Sequence, residues 1–410
     1  MRQQTENISR YHMLLFAICF LSIAFGGIVS TLMSIYLPAV TKDLQGAGNA
    51  DIPTIGAYIN AAFIFGWAVG GFVWGVVGDR MGRKNAMVFS ILCYGEFTCL
   101  TGSMHGWLSV VFCRLASGFG MGGVLVASTT IMIEEWPERS KAVFMGILSI
   151  SMPVGIFSAA LIARTGFDWR QAFLIGVAPV ILSLLSFWLL KESEKWKRSR
   201  GAVHEKEEKA ESIFSREYGR DLLIGSVIFG TMLIGLWAIF SWLPTWLQGL
   251  MTSGGSDKVG SVMMVFAAGG LTGGFLSGWL LNAIGSRKSM LLCFAACSTC
   301  SFLLFKTNSF FSNMVYVEVT GIALFFGASQ GVLSVYIPEL FPVKIRATAT
   351  GFCFNIGRLL TATAILFVGL LQSVLGGYGN ALFIFSFVFV AGLVATLIST
   401  AERKTKIELA

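Results

Sequence analysis

The sequence predicts an all-α membrane protein with twelve transmembrane helices in two pseudo-symmetric six-helix bundles. Three observations lead to this class. The 410-residue chain is 55% hydrophobic and 13% charged, with a mean hydropathy of +0.74, whereas soluble domains average roughly a quarter charged residues. Twelve apolar windows are long enough to cross a bilayer. Motifs of the first half also recur in the second half at a nearly constant offset.

The predicted spans run along the whole chain, and the windows 13–37, 86–104, 222–243 and 381–399 are the clearest. The first window is long enough to span, and no small-residue cleavage site closes it, so no cleavable signal peptide is expected. We place the spans at 12–38, 54–78, 85–104, 107–133, 142–163, 169–190, 221–249, 259–282, 289–305, 312–337, 346–373 and 379–400.

The formal charge of +8 first suggests a nucleic-acid partner, but the charges are placed by topology. With the N-terminus inside, five of the 30 Lys and Arg lie in outer segments and two lie within spans, so the remaining 23 are cytoplasmic. This asymmetry is the positive-inside rule. It predicts cytoplasmic termini and no nucleic-acid partner.

The longest polar stretch, KESEKWKRSRGAVHEKEEKAESIFSREYGR at 191–220, divides the chain. It is too polar to enter lipid, so we expect a cytoplasmic linker with helical stretches. The predicted domains are an N-terminal six-helix bundle at 1–190, this linker, and a C-terminal six-helix bundle at 221–410.

The two halves repeat one another. Gly75, Asp79 and Gly82 recur as Gly278, Asn282 and Gly285, 203 residues later, and Glu134 and Pro137 recur as Glu339 and Pro342, 205 residues later. Two unrelated landmarks with nearly one offset indicate duplication of a six-helix unit. An even number of spans in each unit keeps both copies in one orientation.

The stretch GVVGDRMGRK at 75–84 concentrates charge between two apolar runs. Its glycines permit a tight turn, and Asp79 can accept hydrogen bonds from helix N-terminal amides and pair with arginines, with Arg139 a candidate partner. The alternative is a plain positive-inside loop. We predict a conformational gate formed by Gly75, Asp79, Arg80, Gly82, Arg83, Glu134 and Arg139, and by Glu339 and Arg346 of the second copy.

These residues carry a family resemblance that covers the whole chain. GVVGDRMGRK resembles the loop-2/3 signature of the major facilitator superfamily, and the sequence at 278–288 resembles its degenerate second copy. Arg114 in RLASGFGMGG resembles the Arg-x3-Gly-x-Gly motif of the family's fourth helix. The resemblance implies the major facilitator fold and a secondary transporter.

Several segments bear on the subgroup. KESEKW at 191–196 resembles the PESPRW segment of sugar porters and organic-ion transporters, although it is eroded, and the tail AERKTKIEL faintly resembles their ending. GFCFNIGRL, which contains Arg358, resembles bacterial proton symporters for sialic, aromatic and other organic acids. Many of those carry an Asp in the first helix, but 25–36 contains no acidic residue. The fifth helix lacks most of the Gly-Pro pattern of drug antiporters.

Arg358 is the residue on which the substrate prediction depends. It lies about fourteen residues into its predicted helix, roughly 21 Å at 1.5 Å per residue, near the middle of the membrane. A guanidinium there needs an anionic partner or a watery cavity, and a substrate carboxylate offers a bidentate match. The alternative is a structural arginine held by carbonyls or a fixed acid. We predict that substrate contacts come from Arg358, Asn355, Asn60, Gln330 and Trp237.

Proton coupling is assigned to Glu318 and Arg114. For Arg114 the family resemblance implies conformational or proton coupling as readily as direct contact with the ligand. A carboxyl group removed from water takes up a proton more readily, and Glu318 lies 204 residues after Arg114. Glu96, in the third helix, is expected to have a structural role or to extend outward to the membrane surface. Trp242 and Trp246 are candidates for an interfacial aromatic belt.

We therefore expect proton-coupled uptake of a small organic anion, such as a sugar acid, sialic acid or aromatic carboxylate, by alternating access. The alternative is a neutral sugar or polyol carrier; drug efflux and a non-transporting sensor are less favoured. The eight Cys and three His form no catalytic or metal set, so we expect no enzyme, no catalytic residue, no metal and no cofactor beyond the proton gradient. The expected setting is a bacterial inner membrane, with lipid as surroundings and a monomer as the working state.

Overall fold

A computed structural model describes residues 8–44, 52–201, 215, 218–251, 256–342 and 345–399. In these ranges nearly all residues are helical, because the apolar runs that enter lipid must satisfy their backbone groups within each segment. Twelve segments are long and apolar enough to cross a membrane. The predicted all-α, twelve-span class is confirmed.

The helices follow one another with short connections. In the first part of the chain they are α1 Arg10–Leu44, α2 Ile52–Met81, α3 Arg83–Ser103, α4 Trp107–Glu135, α5 Glu138–Ser149, α6 Ser151–Ala163, α7 Trp169–Phe173, a 3₁₀ turn at Leu174–Gly176, α8 Val177–Leu189 and α9 Glu194–Gly201. The later helices are α10 Gly219–Gly249, α11 Ser256–Ile284, α12 Ser286–Thr307, α13 Met314–Glu339, α14 Arg346–Leu371, α15 Tyr378–Phe385 and α16 Phe387–Ile398.

Most predicted spans match these helices within a few residues. The first prediction ended at residue 38, whereas α1 continues to Leu44. Pro38 lacks the backbone N–H that a helix interior needs, yet the helix continues past it, and the Thr41 hydroxyl donates to the Leu37 carbonyl at 2.9 Å. Three spans are interrupted, between α5 and α6, between α7 and α8, and between α15 and α16.

The chain divides into two compact units. Unit 1 contains residues 1–32, 62–162 and 166–206, and unit 2 contains 33–61, 163–165 and 207–410. The last part of α1 and the first part of α2 thus belong to the same compact unit as the C-terminal half of the chain. The described part of the predicted linker contains α9.

Glycines allow the helices of unit 1 to approach closely. A Cβ added at Gly118 of α4 would lie 2.0 Å from the carbonyl oxygen of Phe63 in α2, and one at Gly122 would lie 2.3 Å from that of Trp67. Because real side-chain atoms do not approach so closely, only glycine fits at these two crossings. The Arg114 side chain is positioned by this packing of α2 against α4.

In unit 2 the sequence GGLTGG at 269–274 has the same role. A Cβ at Gly327 of α13 would lie 1.9 Å from the Gly270 carbonyl oxygen of α11, so the run is a helix crossing and not a phosphate loop. Cys293 and Cys297 are fully buried in α12, as expected for small apolar residues on a packed helix face.

Candidate functional site

Arg358 and Asn355 are joined on one face of α14. Nη1 of Arg358 donates to Oδ1 of Asn355 at 3.1 Å, and Nδ2 of Asn355 donates to the Gly351 carbonyl at 3.0 Å. The spacing of three residues places both side chains on the same side of the helix. Arg358 is the tenth residue of the candidate span Ala349–Leu371. In the part of the chain that the structure describes, no carboxylate lies within ion-pair distance of Arg358.

The other three predicted substrate residues do not join this pair. Asn60 is 5% exposed in α2, and its Nδ2 has no hydrogen-bond partner among the described residues. Gln330 is exposed and donates to Ser329 Oγ at 3.4 Å. Trp237 is buried, with its ring 5.2 Å from that of Phe240 in an edge-on contact. Within the predicted set, the structure shows a direct hydrogen bond between Arg358 and Asn355.

Trp242 and Trp246 are buried inside unit 2 and are not lipid-facing belt residues. Their exposed fractions are 1% and 6%. The Trp242 ring stacks on Tyr378 with centroids 5.0 Å apart, and the Trp246 ring meets Phe305 edge-on at 5.1 Å. The sequence around a tryptophan near a helix end does not show whether its ring contacts lipid or other helices.

Arg114 lies deep in unit 1. It is 1% exposed in α4, and its Nη1 donates to the Val29 carbonyl at 3.3 Å. The guanidinium carbon lies 4.1 Å from the centre of the Phe63 ring, a cation–π contact that partly offsets the loss of water. Nε has no hydrogen-bond partner in the described structure. Phe63 was not predicted as part of this environment, since only the fold brings it there.

Glu318 lies near the beginning of α13 in unit 2 and is 8% exposed. Its carboxylate accepts hydrogen bonds from Asn308 Nδ2 at 2.6 Å and from Thr307 Oγ1 at 3.4 Å. Both donors belong to the end of α12, so Glu318 ties the two helices together at that loop. Glu96, by contrast, is exposed on α3.

Arg83 is the centre of the predicted gate in unit 1. Its Nη1 lies 2.5 Å from Oδ1 of Asp79, and its Nε lies 3.0 Å from Oε1 of Glu134. Asp79 thus pairs with Arg83, one helical turn away. The predicted partner Arg139 has a side chain outside the described residues, so that pairing stays a prediction. Arg80 is exposed at the end of α2.

The amides at the start of α3 are bound by Glu192 and not by Asp79. Oε1 of Glu192 accepts from the backbone N–H of Arg83 at 2.7 Å and of Lys84 at 3.2 Å. Gly82 has a φ of +104°, and a Cβ there would lie 2.1 Å from Glu192 Oε2. Gly82 is therefore required both by its backbone conformation and by the carboxylate beside it. The segment KESEKW carried the only sequence signal for this contact.

A small cavity adjoins the same cluster. Its volume is about 190 Å³, and its lining includes Trp74, Gly75 and Asp79 of α2, Arg83 of α3 and Thr130 of α4. Gly75 therefore lines this cavity, whose wall also carries the paired charges of the gate.

The second copy of the turn, in unit 2, keeps the backbone conformation of the first copy but lacks its Arg–Glu ion pair. Gly285 has a φ of +79°, as expected for the counterpart of Gly82. Ser286 stands where the first copy has Arg83, and its hydroxyl donates to Glu339 Oε2 at 2.5 Å. Arg346 donates from Nε to the Phe341 carbonyl at 3.1 Å. A hydrogen bond from a neutral hydroxyl to the Glu339 carboxylate therefore replaces the ion pair.

These features define a transporter class, and the comparisons with known proteins agree. The sequence model of the Major Facilitator Superfamily matches residues 14–359, so the chain belongs to that family. It is a multi-pass membrane transporter and not an enzyme.

Individual relatives are identical to this chain at about one residue in four. The cis,cis-muconate transport protein of Acinetobacter baylyi is 27% identical over 369 residues, with 87% of each chain covered. The sialic acid transporter NanX of Escherichia coli is 27% identical, with 88% of each chain covered. The 4-hydroxybenzoate transporter PcaK of A. baylyi is 24% identical, covering 86% of this chain and 83% of its own.

Among solved structures, the D-xylose-proton symporter superposes with a TM-score of 0.79 at 16% sequence identity, covering 94% of this chain and 97% of its own. A bacterial homolog of the lysosomal transporter Spinster gives 0.72 at 16% identity, with 96% of each chain covered. At this identity the likeness concerns the fold alone.

Proposed function

We propose that the protein is a secondary active transporter that takes up a small organic anion together with protons, by alternating access. The anion is a sugar acid, a sialic acid or an aromatic carboxylate. The proton gradient drives accumulation, and the protein acts as a monomer in an inner membrane with both termini in the cytoplasm.

The observation that supports an anionic substrate is the state of Arg358. Its guanidinium carries five N–H donors in a fixed fork, and the described structure provides one acceptor, the carboxamide of Asn355. A charge in the membrane without a counter-ion costs several kcal/mol. A substrate carboxylate would offset that cost through a bidentate, charge-assisted pair.

The names of the relatives point to the same chemistry. Muconate, sialic acid and 4-hydroxybenzoate differ in shape but share a carboxylate. A gallate transporter of Pseudomonas putida is 23% identical to this chain. The carboxylate is the group that Arg358 would recognise in any such substrate.

Glu318 and Arg114 are proposed to couple the substrate to protons. Glu318 is a buried carboxyl within the described spans, and a buried carboxyl can take up and release a proton during a transport cycle. Arg114 is a buried cation that no described carboxylate neutralises. A negative charge that approaches it therefore lowers its electrostatic free energy.

The deciding experiment is counterflow into vesicles that contain the purified protein. The panel comprises cis,cis-muconate, 4-hydroxybenzoate, gallate and sialic acid, with xylose and mannitol as neutral compounds. We expect exchange of at least one acid and accumulation of that acid when the vesicle interior is made alkaline. Exchange of the neutral compounds alone would replace this proposal with the sugar or polyol carrier, in which Arg358 is structural.

A further inference from the structure

A pair of stacked phenylalanine rings lies one helical turn from Arg358 in unit 2. The rings of Phe229 in α10 and Phe354 in α14 have centroids 4.3 Å apart and are inclined by 20°. A Cβ at Gly357 would lie 2.5 Å from Cδ1 of Phe229, so this ring packs directly on the backbone of α14. Phe229 is 5% exposed, whereas Phe354 is partly exposed. Phe354 is therefore the ring of the stack that stays accessible.

The Arg358 side chain extends back over the turn that carries Phe354. Side chains of a helix point toward its N-terminus, and the hydrogen bond from Nη1 of Arg358 to Oδ1 of Asn355 shows this direction here. Phe354 precedes Arg358 by four residues, so the two side chains share one face of α14. One turn is about 5.4 Å along the helix axis. The cation and the ring are thus within reach of a single small acid.

This face of α14 borders open space and lies opposite the exposed apolar side of the helix. Gly351 is one turn before Asn355, and a Cβ built there meets no described atom within 4 Å. Leu360 and Phe367 are 47% and 46% exposed, and at 3.6 residues per turn they project from the side of α14 opposite to Arg358. The open space therefore adjoins the cation and the aromatic ring, and not the apolar side that meets lipid.

The chemistry of this face selects the body of the substrate as well as its charged end. A guanidinium binds a carboxylate as a bidentate pair. An aromatic ring stacks on a second flat π system, which stabilises the contact beyond the apolar area that is buried. The hydroxyl groups of a sugar acid each need a hydrogen-bond partner when they leave water, and Phe354 provides none. A flat conjugated acid satisfies the cation and the ring together.

We propose that Phe354 is a stacking platform for the body of the substrate, and that the transported acid is planar and conjugated, an aromatic or dienoic carboxylate. The inference rests on the proposed transport of an organic anion with Arg358 as its carboxylate site. Phe229 packs against Phe354 and fixes the orientation of its ring. Arg358 sets the requirement for a negative charge, and Phe354 sets the preference among acids.

Counterflow with a matched pair of acids tests the platform in reconstituted vesicles. 4-Hydroxybenzoate and 4-hydroxycyclohexanecarboxylate carry the same carboxylate and hydroxyl groups, but only the first has a flat π system. Where the wild type exchanges cis,cis-muconate instead, that acid is paired with its saturated analogue, adipate. We expect the wild-type KM to be about three- to tenfold lower for the flat acid than for the saturated one.

Two substitutions of Phe354 separate the ring from its volume. Phe354→Leu removes the ring and should raise KM for the flat acid about three- to tenfold, with KM for the saturated acid changed by less than about twofold. Phe354→Tyr keeps the ring face and should keep the wild-type preference. Phe367→Leu is the matched control, because Phe367 is an exposed ring on the opposite side of the same helix, and both of its KM values should equal those of the wild type.

Two results would overturn the platform and leave the stacked pair as a packing contact. One is an equal wild-type KM for the flat and the saturated acid, and the other is a Phe354→Leu variant that keeps the wild-type ratio of the two KM values. The comparison of acids on the wild type requires no variant. It therefore decides, together with Phe354→Tyr, if melting temperatures show that Phe354→Leu does not fold.

The outcomes also separate this inference from the function on which it rests. A wild-type protein that exchanges only neutral compounds contradicts the proposed function, and the platform then loses its ligand. A wild-type protein that exchanges sialic acid but no planar acid agrees with the proposed function and contradicts the platform alone.

Discussion

Asn355 accepts a hydrogen bond from Arg358 through its side-chain oxygen, 3.1 Å from Nη1. The interaction holds the guanidinium against α14 while leaving most of its donors available. Because the carboxamide is neutral, it orients the cation without cancelling its charge. The pair therefore combines a fixed position with an unbalanced positive charge, the two properties that an anion site in the membrane requires.

Replacing Asn355 separates orientation from charge. Asn355→Leu should raise KM for the transported acid about tenfold through loss of one positioning hydrogen bond. Asn355→Asp should be worse and abolish saturable acid transport, because a carboxylate at 3 Å would neutralise Arg358. Both variants are compared by counterflow. If Asn355→Asp transports the acid better than Asn355→Leu, Arg358 does not act as the anion site.

Glu318→Gln tests the proton carrier. The substitution keeps the shape and an oxygen that can accept from Asn308, and it removes the ionisable group. We expect counterflow at near wild-type rate, with loss of pH-driven accumulation by about tenfold or more. Glu96→Gln is the matched control, since Glu96 is an exposed acid on α3, and it should accumulate substrate normally. Normal accumulation in Glu318→Gln would instead assign Glu318 to anchoring the α12–α13 loop.

Removing the central residue of the charged turn should lower the stability of the protein more in the first copy than in the second. Arg83→Ala leaves Glu134 without its ion pair and should lower stability by about 1–3 kcal/mol; the contribution of Asp79 is small because its side chain is 70% exposed. Ser286→Ala removes one hydroxyl–carboxylate hydrogen bond and should cost about 1 kcal/mol, because Glu339 is only partly buried and water can replace the lost donor. Thermal unfolding of the purified variants measures both. Equal losses would show that the ion pair adds nothing to the gate.

Glycine positions in unit 2 provide a test of the helix crossing. Gly327→Ala places a methyl group 1.9 Å from the Gly270 carbonyl oxygen, and such overpacking costs about 1–3 kcal/mol or more. Gly351→Ala, where a Cβ meets nothing within 4 Å, should be neutral or stabilising by up to about 1 kcal/mol. Melting temperature and yield compare the two. Similar behaviour of both variants would contradict the packing of α11 against α13.

The sequence contained enough to predict the spans and the repeat. Apolar length sets each span locally, and the positive-φ glycines Gly82 and Gly285 occupy equivalent places in the two copies, as their offset indicated. Interactions between distant residues were less accessible. Glu192 binds the amides of α3 from 109 residues away, and nothing in GVVGDRMGRK identifies it over Asp79 as the acceptor.

In the candidate site, too, features set within one helix were predictable from the sequence, and features set by contacts between helices were not. Asn355 and Arg358 were paired correctly because a spacing of three residues is a property of one helix. Trp242 was ambiguous, since a belt tryptophan and a buried tryptophan have the same sequence surroundings. Its burial depends on Gly56 and Gly369, which belong to two other helices. The environment of Arg114 depends in the same way on Phe63 and Val29.

The most direct test of an anion site at Arg358 is the effect of Arg358→Gln on counterflow of the acid that the wild type exchanges. Lys288→Gln, which removes an exposed cation from the beginning of α12, is the control and should transport normally. We predict that Arg358→Gln folds with an unchanged melting temperature or a higher one, because an unpaired charge has been removed from the membrane, and that its acid counterflow falls to background. Acid counterflow by Arg358→Gln with wild-type KM and kcat would contradict the central claim.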